Sequence, residues 1–136
     1  MGWMSNSERS CDNPRLKIKN QKSKIQNVKY IVVLVTCPTQ TVARRIASHL
    51  IRHHLAACVN LLPGVESVFW WKGRVDRCRE SLLVIKTTTA RLKRLKQSVI
   101  SLHPYDVPEV IALPLAAGHQ PYLRWIDSST SPRNLS

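Results

Sequence analysis

The chain is poor in the residues and spacings that usually announce chemistry. Only four of its 136 residues are glycine, and none lies in the spacing that cradles a phosphate ahead of a helix, so a Walker or Rossmann loop is excluded. The four cysteines, Cys11, Cys37, Cys58 and Cys78, are at least twenty residues apart. No CxxC unit exists for zinc or thiol exchange, nothing in the spacing demands a disulfide, and a reducing cytoplasm is the expected compartment. The longest apolar runs, such as Ile31–Val35, are far too short to cross a bilayer, and no apolar h-region follows the N-terminus, so neither membrane insertion nor a secretory signal is expected. Acidic residues are scarce: eight Asp and Glu stand against 21 Lys and Arg, a net charge of +13.

That surplus invites a nucleic-acid reading, because Lys and Arg release counterions from phosphates. Its distribution argues against one. Residues 1–29 hold seven basic and two acidic residues, and the remaining fourteen basic residues are scattered over helix faces and hairpin positions. There is no aromatic pair of the RNA-recognition type and no zinc-finger spacing. A solvated basic surface accounts for the charge.

The length fits one domain. Residues 1–29 are Lys-, Asn- and Ser-rich with isolated apolar residues, and read as a disordered basic extension, with a transit peptide as the competing reading. The domain is expected over 30–130. Tyr30–Thr36 is a β-branched run, read as a strand buried on both faces. Val42, Ala43, Ile46, Ala47, Leu50 and Ile51 recur at helical spacing after a fair N-cap at Thr39, predicting a helix over 39–54. A strand follows over 57–71, bent or bulged at Pro63-Gly64. Lys72-Gly73 suits a two-residue hairpin turn, and Arg74–Thr88 returns as a long strand. Leu92, Leu95, Val99 and Leu102 mark a second helix over 90–102, stopped by His103-Pro104. Val110–Leu115 is a fourth strand, and a short helix over 121–128 closes the domain. The order βαββαβ predicts an α+β, ferredoxin-like sandwich with two helices on one face of a four-stranded sheet, a long β-hairpin and a short C-terminal helix.

Several segments together carry a specific resemblance: Val-Thr-Cys-Pro before the first helix, Leu-Ala-Ala-Cys-Val-Asn-Leu-Leu-Pro-Gly-Val, Val-Phe-Trp-Trp-Lys-Gly, Leu-Leu-Val-Ile-Lys-Thr-Thr, His-Pro-Tyr-Asp-Val-Pro-Glu-Val and Pro-Tyr-Leu-Arg-Trp. Over about residues 30–127 the chain resembles the CutA family, the divalent-cation tolerance proteins. The resemblance implies a homotrimer, similar in architecture to PII signalling proteins, that has no catalytic residues and requires no cofactor. Its implied partners are further copies of itself and divalent metal ions such as Cu(II); nucleic acid and membrane are not expected. The ribbon around Lys72-Gly73 fits this, since Phe69, Trp70 and Trp71 alternate faces and at least one aromatic must point away from its own core.

The resemblance also implies a metal position at His103, together with the residue before it and a cysteine in the first strand. Here those places hold Leu102 and Val35, with Cys37 two residues further on. The competing reading makes His103 a cap on the second helix. Cys37, ahead of a helix N-terminus, is a candidate reactive thiol or a plain loop residue. His49 and His53, four apart on the first helix, have metal-clamp spacing but lack a neighbouring carboxylate. Asp106 and Glu109 flank prolines and are expected to pair with arginines. A cleft between subunits lined by Trp71, Tyr105 and Glu109 is the alternative functional site, on the analogy of the PII architecture.

Overall fold

Strand β1, Tyr30–Cys37, is built almost wholly of residues that favour a pleated, packed surface. Its side chains alternate: Ile31, Val33, Val35 and Cys37 are fully buried, while Tyr30, Val32, Leu34 and Thr36 are half-buried. The computed structural model describes residues 24–131 of the chain. After β1 come helix α1 (Gln40–Arg52), strands β2 (Cys58–Trp71) and β3 (Arg74–Thr88), helix α2 (Leu92–Leu102), strand β4 (Val110–Pro114) and helix α3 (Gln120–Thr130). The strands form one antiparallel sheet in the order β2-β3-β1-β4. This is the ferredoxin-like arrangement with an added C-terminal helix.

The two helices lie on one side of the sheet. Ala43, Ile46 and Leu50 of α1 and Leu95 and Val99 of α2 share a core with Ile31, Val33, Val35, Leu83 and Ile85. Helix α1 starts where Thr39 Oγ1 accepts the Val42 amide at 3.2 Å. It ends in a Schellman turn: the Leu55 amide donates to Leu50 O and the His54 amide to Ile51 O, with His54 held at φ 55° where glycine is usual. Leu55 and Leu50 are both buried, which anchors that turn.

The opposite face of the sheet carries no helix from α1 or α2. Register places Val32, Leu34, Leu82 and Val84 there, flanked by Leu62 on β2 and Ile111 and Leu113 on β4. β1 is therefore buried on one face and only half-buried on the other, against the expectation of burial on both. The β2–β3 ladder shifts register between Leu62 and Val65, where Pro63-Gly64 was expected to bulge. Past this point the ribbon runs on without a third strand, since β1 ends where Cys37 pairs with Ser81. Its tip is Lys72-Gly73, both at positive φ (51° and 78°), the two-residue turn whose twist suits a hairpin.

The described residues include a short element before Tyr30. Lys24–Asn27 forms a 3-10 turn that buries Ile25 in the core, and the Thr89 amide donates to Lys29 O at 2.8 Å. Lys24–Asn27 and Lys29 belong to the segment read as an extension over 1–29, and Ile25 finds apolar contact there just before β1. The remainder of that reading, residues 1–23, lies outside the described residues. No helix among the described residues is long and apolar enough to cross a membrane.

Candidate functional site

The C-terminal end of β1, the bulged part of β2–β3 and the α2–β4 loop meet around one buried carboxylate. Helix α2 closes with the His103 amide on Val99 O, and Pro104 turns the chain out of the helix. The His103 ring then folds back against β1 and is almost wholly buried. Its Nε2 lies 2.7 Å from Thr36 O, and its Nδ1 accepts the Tyr105 amide at 3.1 Å. A carbonyl only accepts and an amide only donates, so the proton sits on Nε2 and the ring is the neutral tautomer in this arrangement. His103 is thus the C-cap of α2 through its backbone amide, while its side chain ties the loop to β1 and does not reach back to the last carbonyls of the helix.

Tyr105 packs on this ring, with centroids 4.6 Å apart. Its hydroxyl donates to Glu80 Oε2 at 2.9 Å, while Ser67 Oγ donates to Glu80 Oε1 at 2.7 Å. Glu80 is only 6 % exposed. Glu109, expected against an arginine, instead faces Thr36, whose hydroxyl approaches Oε1 at 3.5 Å. Burial pushes the Glu109 carboxyl above its usual range, the nearby charge of Glu80 adds to this, and the Thr36 hydroxyl opposes it.

Cys37 belongs to β1 and not to a loop. Its side chain is fully buried, and its thiol is pushed up to about 12, first by burial and then by the charge of Glu80. The reactive-thiol reading is therefore corrected: a neighbouring anion and an apolar enclosure act against the thiolate, and outweigh the helix N-terminus beyond it. Cys37 and Cys58 are free thiols.

Trp71 stands apart from this cluster. It pairs with Arg74 at the ribbon tip, six ladder positions beyond the Val65–Glu80 pair, or about 20 Å at strand spacing. Lys72 Nζ lies 5.6 Å from the centroid of its ring. Within one chain the structure brings His103, Tyr105, Glu109 and Cys37 together, and leaves Trp71 out. The residue that sequence reasoning missed is Glu80. Its signal was an acid beside Arg77 and Arg79, separated only by Ser81 from the apolar half of β3.

The cluster is an enclosed hydrogen-bond network. As placed, both nitrogens of His103 are committed to protein partners and Cys37 keeps its proton, so a metal ion here needs one of those bonds to open. Among the described residues, no group of three or more His, Cys, Asp or Glu is arranged to hold a metal ion.

Residues 31–129 match the family model of the CutA1 divalent ion tolerance protein. The chain is 50 % identical over 99 residues to the divalent-cation tolerance protein CutA of Thermus thermophilus, covering 73 % of this chain and 96 % of that one. It is 50 % identical over 100 residues to the chloroplastic protein CutA 1 of Oryza sativa, covering 74 % of this chain but 56 % of the longer plant protein. The solved CutA1 structure from Oryza sativa superposes with a TM-score of 0.74 at 48 % identity, covering 77 % of this chain and 96 % of that one. The Thermus thermophilus structure gives 0.73 at 48 % identity, covering 75 % and 99 %.

Proposed function

The chain belongs to the CutA1 divalent ion tolerance protein family, and on that premise we propose that it acts in the cytoplasm as a non-enzymatic homotrimer contributing to tolerance of divalent cations, copper foremost. The observation that carries the assembly is the exposed apolar part of the sheet face opposite α1 and α2, beyond the end of β3 where α3 packs. Leu62, Ile111 and Leu113 are exposed around the half-buried Val32, Leu34, Leu82 and Val84, and the ribbon beyond them exposes Val68, Trp70 and Val75. Trp70 is 69 % exposed. An apolar surface of this kind on a monomer is unusual, and a second sheet packed on it removes it from water. The open ribbon edge also gains a strand partner between subunits. Sedimentation equilibrium of the full chain should return the mass of a trimer of the 15.5 kDa polypeptide. A monomeric mass at micromolar concentration contradicts the assignment.

Metal enters this reading as a dissociable ligand. His103 is the proposed family position, and access to it requires release of Thr36 O or the Tyr105 amide. Cys37 is the weaker second candidate, because its thiol must lose a proton that the enclosure retains.

A second reading, a signalling or scaffolding trimer that takes a small molecule between subunits, is favoured by the position of Trp71. Some 20 Å of ribbon separates it from Tyr105 and Glu109 at strand spacing, so a cleft lined by all three needs the tryptophan of another copy. A metabolite that occupies this cleft should raise the melting temperature, and Glu109→Gln should remove the shift. An equal shift in the variant places the ligand elsewhere.

A further inference from the structure

Helix α1 carries a histidine pair that neither reading uses. His49 and His53 stand four residues apart on one helix face, and their rings meet with centroids 4.3 Å apart and planes tilted by 39°. Positions i and i+4 are neighbours along a helix. Imidazole nitrogens bind a borderline dication at about 2.0–2.1 Å, so two rings already in contact can converge on one ion by side-chain rotation alone. The backbone beneath them is held by the buried Schellman turn at Leu50–Leu55. The next histidine is committed elsewhere: His54 Nδ1 lies 3.0 Å from Ser129 O.

We propose that the half-buried His49 and the exposed His53 form a two-imidazole surface site for a divalent transition-metal ion, Cu(II) ahead of Ni(II) and Zn(II), with water completing the coordination. The donor type sets the class of ion. Imidazole suits copper, nickel and zinc, with copper the strongest in the divalent series, whereas Mg(II) and Ca(II) demand oxygen ligands. Helix α1 contains no acidic residue, and Arg45 and Arg52 lie near His49 on the same helix. Their charge opposes a cation, although their exposure lets salt screen it. The site is therefore a modest binder that exchanges its ion. It depends neither on the trimer nor on His103.

The test is titration of the full, metal-free chain with Cu(II), read by calorimetry and by electron paramagnetic resonance. One ion per chain is expected at this site, over and above any bound at His103, with hyperfine structure from two imidazole nitrogens. His49→Ala and His53→Ala should each weaken binding tenfold or more, and Mg(II) should not compete. His54→Asn, which tolerates the positive φ, should bind as the parent does. Both target positions lie on the wet side of α1, where alanine favours the helix, and His49→Gln supplies a second variant lacking the imidazole. Parent-like Cu(II) affinity in the His49→Ala/His53→Ala double variant overturns the site, wherever else copper then binds.

Discussion

Val84→Lys should convert the proposed trimer to a folded monomer. Val84 lies at the middle of β3, opposite Leu34 on β1 and Asn60 on β2, on the sheet face that α1 and α2 leave uncovered. In a single chain this position is only half-buried, so a lysine there can carry its ammonium to water along an apolar stem. In the proposed trimer a second sheet on this face would take that ammonium out of water, and its ladder neighbours Leu34 and Asn60 carry no charge to pair with it. Desolvating an unpaired ion costs several kcal/mol, and a symmetric trimer incurs that cost at every copy. Each 1.4 kcal/mol is about tenfold in the association constant, so dissociation at micromolar concentration is the expected outcome. Sedimentation should report the 15.5 kDa chain with unchanged far-ultraviolet circular dichroism. The melting temperature should fall and lose its dependence on protein concentration, because the folded state no longer gains stability from association. A variant that keeps a trimeric mass shows that this face is not the interface.

His103→Ala should lower the stability of the metal-free protein by about 2–6 kcal/mol. The ring satisfies two buried backbone groups at once, the Thr36 carbonyl and the Tyr105 amide. A buried polar group left without a partner costs about 1–3 kcal/mol, and this substitution strands two. The loss of the ring contact with Tyr105 adds a further increment. Against a total of about 5–15 kcal/mol for a typical domain, this is a large fraction. Urea unfolding should show a lower midpoint with an unchanged slope. A residue whose only task is to bind a metal would leave the metal-free midpoint where it was. A change below about 1 kcal/mol in the variant therefore removes His103 from the structural network described here.

The elements were legible because their signals are local. The 3.6-residue recurrence of Ala43, Ile46, Ala47 and Leu50 needs only a neighbouring apolar surface to become α1, and those residues are the buried ones. Lys72-Gly73 can turn the chain wherever the ribbon goes, and the strand read over Arg74–Thr88 has those limits in the structure. The site was less legible. His103, Tyr105 and Glu109 stood out as one run of sequence, but their partners are remote. Thr36 is 67 residues from His103, and Glu80 is 25 residues from Tyr105. Ile25 was passed over for a related reason: a lone isoleucine in a polar stretch carries no period, and its burial depends on an opening left by other elements.

Local pattern alone therefore determined the order of strands and helices, their approximate limits, the hairpin turn and the family, since each rests on residues close together along the chain. Tertiary packing decided which side of the sheet stays uncovered, which carboxylate receives the hydroxyls of Tyr105 and Ser67, and that Cys37 holds its proton up to about 12. Those outcomes depend on solvent exclusion and on charges brought within a few ångströms through space, and neither is a property of neighbouring residues in the chain.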